Sequence, residues 1–277
     1  MNPPPRTLIL ACGALAREIL ALIEANGLEH VRLHCLPAQL HNRPQQIPGA
    51  VREAIHRHRP HHDRILVAYG DCGTGGELDR VLAEEGVARI EGVHCYAFFA
   101  GFDRFAALAE QEVGTFWLTD FLARQFDTLV WQGLGLDRHP ELLELYFGNY
   151  RRVVYLAQTD DPACLDRARA AADKLGLQFQ HVPVGYGMLE DFVKAAADGD
   201  ADGGSYRGLL AGHPGPGDRE AGAQDRQAGA AGPLLRGDRH GGHARQDDGY
   251  RRLSGTVAPG RPGRLRRRSG GGSAARA

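Results

Sequence analysis

TLILACGALAREILALIEANG, residues 7–27, runs from an unbroken apolar strand into an amphipathic helix with only Cys12-Gly13 between them. Residues 7–12 suit a strand buried on both faces. Residues 14–26 carry apolar side chains at helical spacing, and Gly27 closes the helix. Working outward, the same alternation recurs. VRLHCL (31–36) reads as a second strand, followed by the loop PAQLHNRPQQIP and a helix at about 49–58. RILVAY (64–69) reads as a third strand; Gly70 to Gly76 form a glycine loop that opens a helix at about 77–85. ARIEGV (88–93) is the fourth strand, and a helix-rich insertion is expected near 101–150. RVVYLAQ, PACLDRARAAADKLG and LQFQHVPV then supply a strand, a helix and a strand. Strands and helices in alternation with short connections predict an α/β, Rossmann-like fold, a mostly parallel sheet with helices on both faces.

The chain divides near residue 200. Residues 1–200 form the α/β domain. Residues 201–277 are a low-complexity Gly/Arg/Ala-rich tail with no Ile, Phe, Cys or Lys and a single Val, Val257. That tail has 14 basic and 7 acidic residues, against 19 and 27 in the rest of the chain. So few aliphatic side chains cannot offset the entropy of ordering. Disorder is one reading. The favoured one is a GC-rich gene translated in the wrong frame, in which case the true C-terminus is missing. A nucleic-acid role would depend wholly on this tail and is not expected. No apolar run is long enough to span a membrane. The N-terminus lacks a signal-peptide pattern. Five cysteines in a chain of this length speak against a disulfide framework, so reduced thiols in a cytoplasmic protein are expected.

Cys12, Cys72 and Cys95 each stand where a strand-like run ends at a turn. In one parallel sheet they would share the carboxyl rim, where open α/β sheets bind ligands. His41, in the loop after the second strand, is the candidate fourth ligand. Three thiolates and an imidazole suit tetrahedral zinc or an iron–sulfur cluster. Adjacent residues of an extended strand face opposite ways, so His94 is expected to orient the site while Cys95 binds. Gly73, Thr74 and Gly75 are candidate cofactor contacts, because a glycine loop opening a helix offers free N–H groups. The loop lacks both GxGxxG and the Lys-Ser/Thr of a P-loop.

Other candidates read as structure. Cys35 and Cys164 suit packing. His56, His58, His61 and His62 suit a solvated helix end. Arg138, His139 and Glu141 suit a helix start capped by Asp137. No residue is assigned a catalytic role. The rival to a metal site is a metal-free thiol enzyme with Cys72 or Cys95 as nucleophile.

The ACG, LHN, YGDCGTGG, HCYAFFAG and GTFWLTDFL segments together resemble a bacterial and archaeal family known as domain of unknown function 1638, over about residues 5–195. The resemblance implies recurrent polar positions at Cys12, His41, Cys72 and Cys95. Many relatives have a His-Asp-Cys order where this chain has His94-Cys95 with nothing between. The resemblance also implies corrinoid-dependent methyl or one-carbon metabolism as the setting, with a corrinoid protein or methyltransferase as partner. A non-catalytic accessory protein for such a system is a third expectation.

Overall fold

A computed structural model describes residues 4–198; the tail and its two readings lie outside the described residues. The fold is α/β and every strand pairing is parallel, but the strands form two sheets rather than the single sheet expected. The first contains β1 (Thr7–Cys12), β2 (Val31–Leu36), β3 (Arg64–Ala68) and β4 (Ala88–Arg89), in the order β2-β1-β3-β4. The second contains β5 (Thr115–Thr119), β6 (Arg152–Ala157) and β7 (Gln178–Pro183), in that order.

The decisive opening stretch folds as expected. β1 is buried along its whole length and is flanked by β2 and β3, which is why its sequence carries no polar alternation. A short 3-10 turn, Gly13–Leu15, leads directly into α1 (Ala16–Ala25). The first sheet then acquires α2 (Ile47–His58) and α3 (Glu77–Glu85), which pack on one another. At the far end of the described chain, α9 (Met188–Asp198) returns to pack on α1 and β1. Leu189, Phe192, Val193 and Ala196 thereby join the core of the first sheet.

The helix-rich insertion needs correction. It follows α4 (Cys95–Ala100) and does hold α5 (Phe102–Gln111), α6 (Asp120–Phe126) and α7 (Leu142–Phe147), but Thr115–Thr119 between α5 and α6 is a strand. TFWLT is β-branched and aromatic, bounded by Gly114 and by Asp120 at the start of a helix, and Trp117 pairs opposite Val154. Leu118 therefore belongs to a sheet. α7 begins at Leu142 with no side-chain cap, so Asp137 is not its cap. α8 (Pro162–Leu175) is capped by Asp161, whose carboxylate accepts from Ala163 N at 3.0 Å. α6 and α8 cover one face of the second sheet; Phe105 and Leu108 of α5 lie over the other with Val154 and Leu156.

The histidine group near the end of α2 is only partly solvated. His34 of β2 lies 4.5 Å, ring to ring, from His58, and His58 lies 5.8 Å from His62. Burial, then the charges of His34, His62, Arg57 and His61, pushes His58 down to about 4. Burial and Arg57 push His34 down as well. Both groups therefore bind protons less readily folded than unfolded, where an imidazole titrates near 6.5. Their contribution to stability is full above about pH 6.5 and is lost as pH falls toward about 4. Denaturant unfolding midpoints should fall between pH 7 and pH 4.5, and His58→Asn should flatten that slope. An unchanged slope in the variant would remove His58 as its source.

Candidate metal centre

β1 and β3 lie side by side, and the helices that follow them cover opposite faces: α1 packs with α9, and α3 with α2. The crevice beyond their carboxyl ends is the switch point at which open α/β sheets take ligands. Cys12 ends β1, and Cys72 lies four residues beyond the end of β3.

Two glycines draw the surrounding loops together. A Cβ on Gly13 would stand 3.1 Å from the Leu36 carbonyl and 3.4 Å from Ala38 N, so only glycine lets the β1 end approach the 3-10 turn Ala38–Asn42. That turn carries His41. A Cβ on Gly70 would stand 3.0 Å from the Val93 carbonyl and 3.2 Å from His94 N. The absence of one lets Asp71 N donate to Gly92 O at 3.0 Å and Cys72 N donate to Val93 O at 2.9 Å. These two bonds tie the Cys72 loop to the segment that leads into Cys95.

Among the four expected ligands, Cys12 Sγ and His41 Nδ1 stand 3.6 Å apart. Burial pushes the Cys12 thiol up. The charge and hydrogen bond of His41, the Ala14 N–H and the Tyr69 hydroxyl outweigh it and bring the thiol below its ordinary value. Burial likewise pulls His41 down, yet the Cys12 and Cys72 sulfurs hold it well above the usual imidazole range. Cys95 is pushed up to about 12 by burial and by Cys72, with His41 opposing. Cys12, His41, Cys72 and Cys95 thus share one electrostatic neighbourhood. Cys12 is buried, while Cys72 and Cys95 are partly exposed. Among the described residues, no three His, Cys, Asp or Glu side chains already stand around one point at ligand distances. An ion would have to draw the outer thiols inward.

Cys72 is the one non-glycine residue with positive φ among the described residues, at 51°. That conformation costs about 1–2 kcal/mol and is sustained by the loop around it. Asp71 organises the loop: its carboxylate accepts from Thr74 Oγ1 at 2.6 Å, Gly76 N at 2.9 Å and Gly75 N at 3.2 Å. These bonds hold the carboxyl below its ordinary value against the opposing effect of burial. An anionic cofactor at Gly73, Thr74 and Gly75 would have to displace that carboxylate.

β4 is only two residues long, so the strand alternation used for His94 and Cys95 does not apply. His94 is extended backbone immediately before α4, and Cys95 is the first helical residue. Burial and the charge of His41 lower the His94 pKa, while Asp71 raises it, so His94 lies within electrostatic reach of His41. Cys35 lies near Cys12 and is pushed up to about 12 by burial and by the Cys12 charge. Cys164 belongs to the core of the second sheet.

Sequence reasoning passed over Tyr69 and Glu18. Tyr69 reads as the last apolar residue of a strand, but its buried hydroxyl lies close enough to Cys12 to lower that thiol's pKa. Glu18 lies within the helix read over residues 14–26. It is buried, and it pairs at 3.4 Å with Arg124 of α6, joining the two sheets.

Among the described residues, no helix is long and apolar enough to cross a membrane. No curated protein and no solved structure matches the chain. A family described as "Protein of unknown function (DUF1638)" matches residues 35–193, a span that includes His41, Cys72 and Cys95 and begins after Cys12. The chain belongs to the DUF1638 family.

Proposed function

We propose that Cys12, His41, Cys72 and Cys95 bind one thiophilic metal ion at the rim of the first sheet. The carrying observation is the 3.6 Å between Cys12 Sγ and His41 Nδ1. Zinc bonds of about 2.3 Å to sulfur and about 2.0–2.1 Å to nitrogen, at a tetrahedral angle, separate the two ligand atoms by about 3.6 Å. In a four-iron cluster each ligand sits on its own iron and stands further from the others, so this spacing favours a mononuclear ion such as zinc over a [4Fe–4S] cluster. The family resemblance supplies the setting: methyl or one-carbon metabolism linked to a corrinoid protein, where thiolate-bound zinc would activate a thiol for methyl transfer.

The test is metal and acid-labile sulfide content of the full chain purified without oxygen, beside alanine variants of Cys12, Cys72 and Cys95. One zinc per chain without sulfide, lost in each variant, is the expected result. Sulfide with iron would replace the mononuclear ion by a cluster. A folded, metal-free chain would overturn the reading.

One observation favours the thiol-enzyme alternative. The Cys12–His41 pair is also what an imidazole-activated thiolate requires. The thiol that this pairing lowers is Cys12, whereas the sequence had pointed to Cys72 or Cys95. A metal-free chain whose function is lost only on Cys12 alkylation would support that alternative.

A further inference from the structure

We propose that Tyr69 is a positioning residue of this centre, its hydroxyl donating a hydrogen bond to the Cys12 sulfur when that sulfur is a metal-bound thiolate. The inference rests on the metal reading above. The β1–β3 ladder pairs Ala11 with Ala68, so the next step along both strands sets Cys12 beside Tyr69 on one face of the sheet. Tyr69 is only 1% exposed. Its ring lies nearly parallel to that of His41, at 6.5 Å and 19°. Its hydroxyl oxygen is buried and has no hydrogen-bond partner of normal geometry, although Cys12 is close enough to feel it.

A buried hydroxyl left unpaired costs about 1–3 kcal/mol, and phenylalanine would fill the same slot without that cost. Packing alone therefore does not account for tyrosine here. The ionisable groups within electrostatic reach of the hydroxyl include the thiols of Cys12, Cys72 and Cys35. Of these, Cys12 already accepts one bond, from Ala14 N at 3.4 Å. A second donor would fix the direction of its lone pairs and draw electron density from the thiolate, weakening its donation to the metal.

Cobalt(II) loaded into the full chain reads this directly, because thiolate-to-cobalt charge transfer reports electron density on sulfur. Tyr69→Phe should keep the cobalt stoichiometry and move that band to lower energy. Uniform 3-fluorotyrosine labelling strengthens each phenolic donor without deleting it, and should move the band to higher energy even if the phenylalanine variant does not fold. Bands that stay in place under the labelling, or in a folded Tyr69→Phe chain, would overturn the role of Tyr69. Wild-type chain that binds no cobalt, or binds it without a thiolate band, would instead sink the metal reading on which the role rests.

Discussion

Asp120→Ala is expected to lower the free energy of unfolding by about 3–5 kcal/mol, the range for removing one partner of a buried charged network. Asp120 is fully buried just after β5, as the first residue of α6. One carboxylate oxygen accepts from Tyr155 Oη at 2.7 Å and Gln158 N at 3.0 Å. The other accepts from Thr159 Oγ1 at 2.5 Å. Asp120 N in turn donates to Gln158 Oε1 at 2.7 Å. Alanine would strand three donors inside the protein, each costing about 1–3 kcal/mol if no water replaces the oxygen. Arg124 would lose the nearby carboxylate at 3.9 Å and keep Glu18 and the Cys164 sulfur. Denaturant unfolding measures the loss directly. Asp120→Asn should cost less, since it preserves shape and one acceptor. A loss below about 1 kcal/mol in Asp120→Ala would show that the carboxylate does not hold the β5 and β6 ends together.

The second large effect concerns the metal. Structural zinc binds with about 10–16 kcal/mol at neutral pH; shared over four ligands, this is roughly 2.5–4 kcal/mol each. Alanine at Cys12, His41, Cys72 or Cys95 should therefore weaken zinc binding by about 10²–10³-fold in a competitive chelator titration. Cys164→Ala, in the core of the second sheet, should leave affinity unchanged within about twofold. Cys35→Ala is the sharper comparison, because Cys35 lies near Cys12 but is strongly resistant to ionisation. A Cys35 loss equal to the others, with His41→Ala neutral, would mean that the fourth ligand is Cys35. Zinc at 100 times its dissociation constant should stabilise the wild-type fold by about 2.7 kcal/mol, and chelation should remove that increment.

Most of the first sheet was legible because its strands are short apolar runs bounded by glycine turns. The rim position of Cys12 and Cys72 followed from the strand ends alone. His41 is the fourth candidate the sequence offers, but how it meets Cys12 is not legible there, because the approach depends on Gly13 fitting under the backbone of residues 36–38, a tertiary contact with no local signature. β5 was missed for a different reason. Its apolar residues sit between helices and blend into their spacing, and only the β-branched, aromatic composition of TFWLT marks it as a strand. That strand begins the second sheet, so missing it also merged two sheets into one. β4 erred the other way, shortened to Ala88–Arg89 because Gly92, at φ 137°, and the close approach of Gly70 turn the chain away. Tyr69 was invisible as a polar group because a tyrosine at a strand end reads as core.

The most direct measurement is zinc-edge X-ray absorption on the full chain purified without oxygen. The expected first shell has three sulfurs at about 2.3 Å and one nitrogen at about 2.0–2.1 Å. A shell of nitrogen and oxygen alone, or a folded chain with no bound metal to measure, would contradict the site.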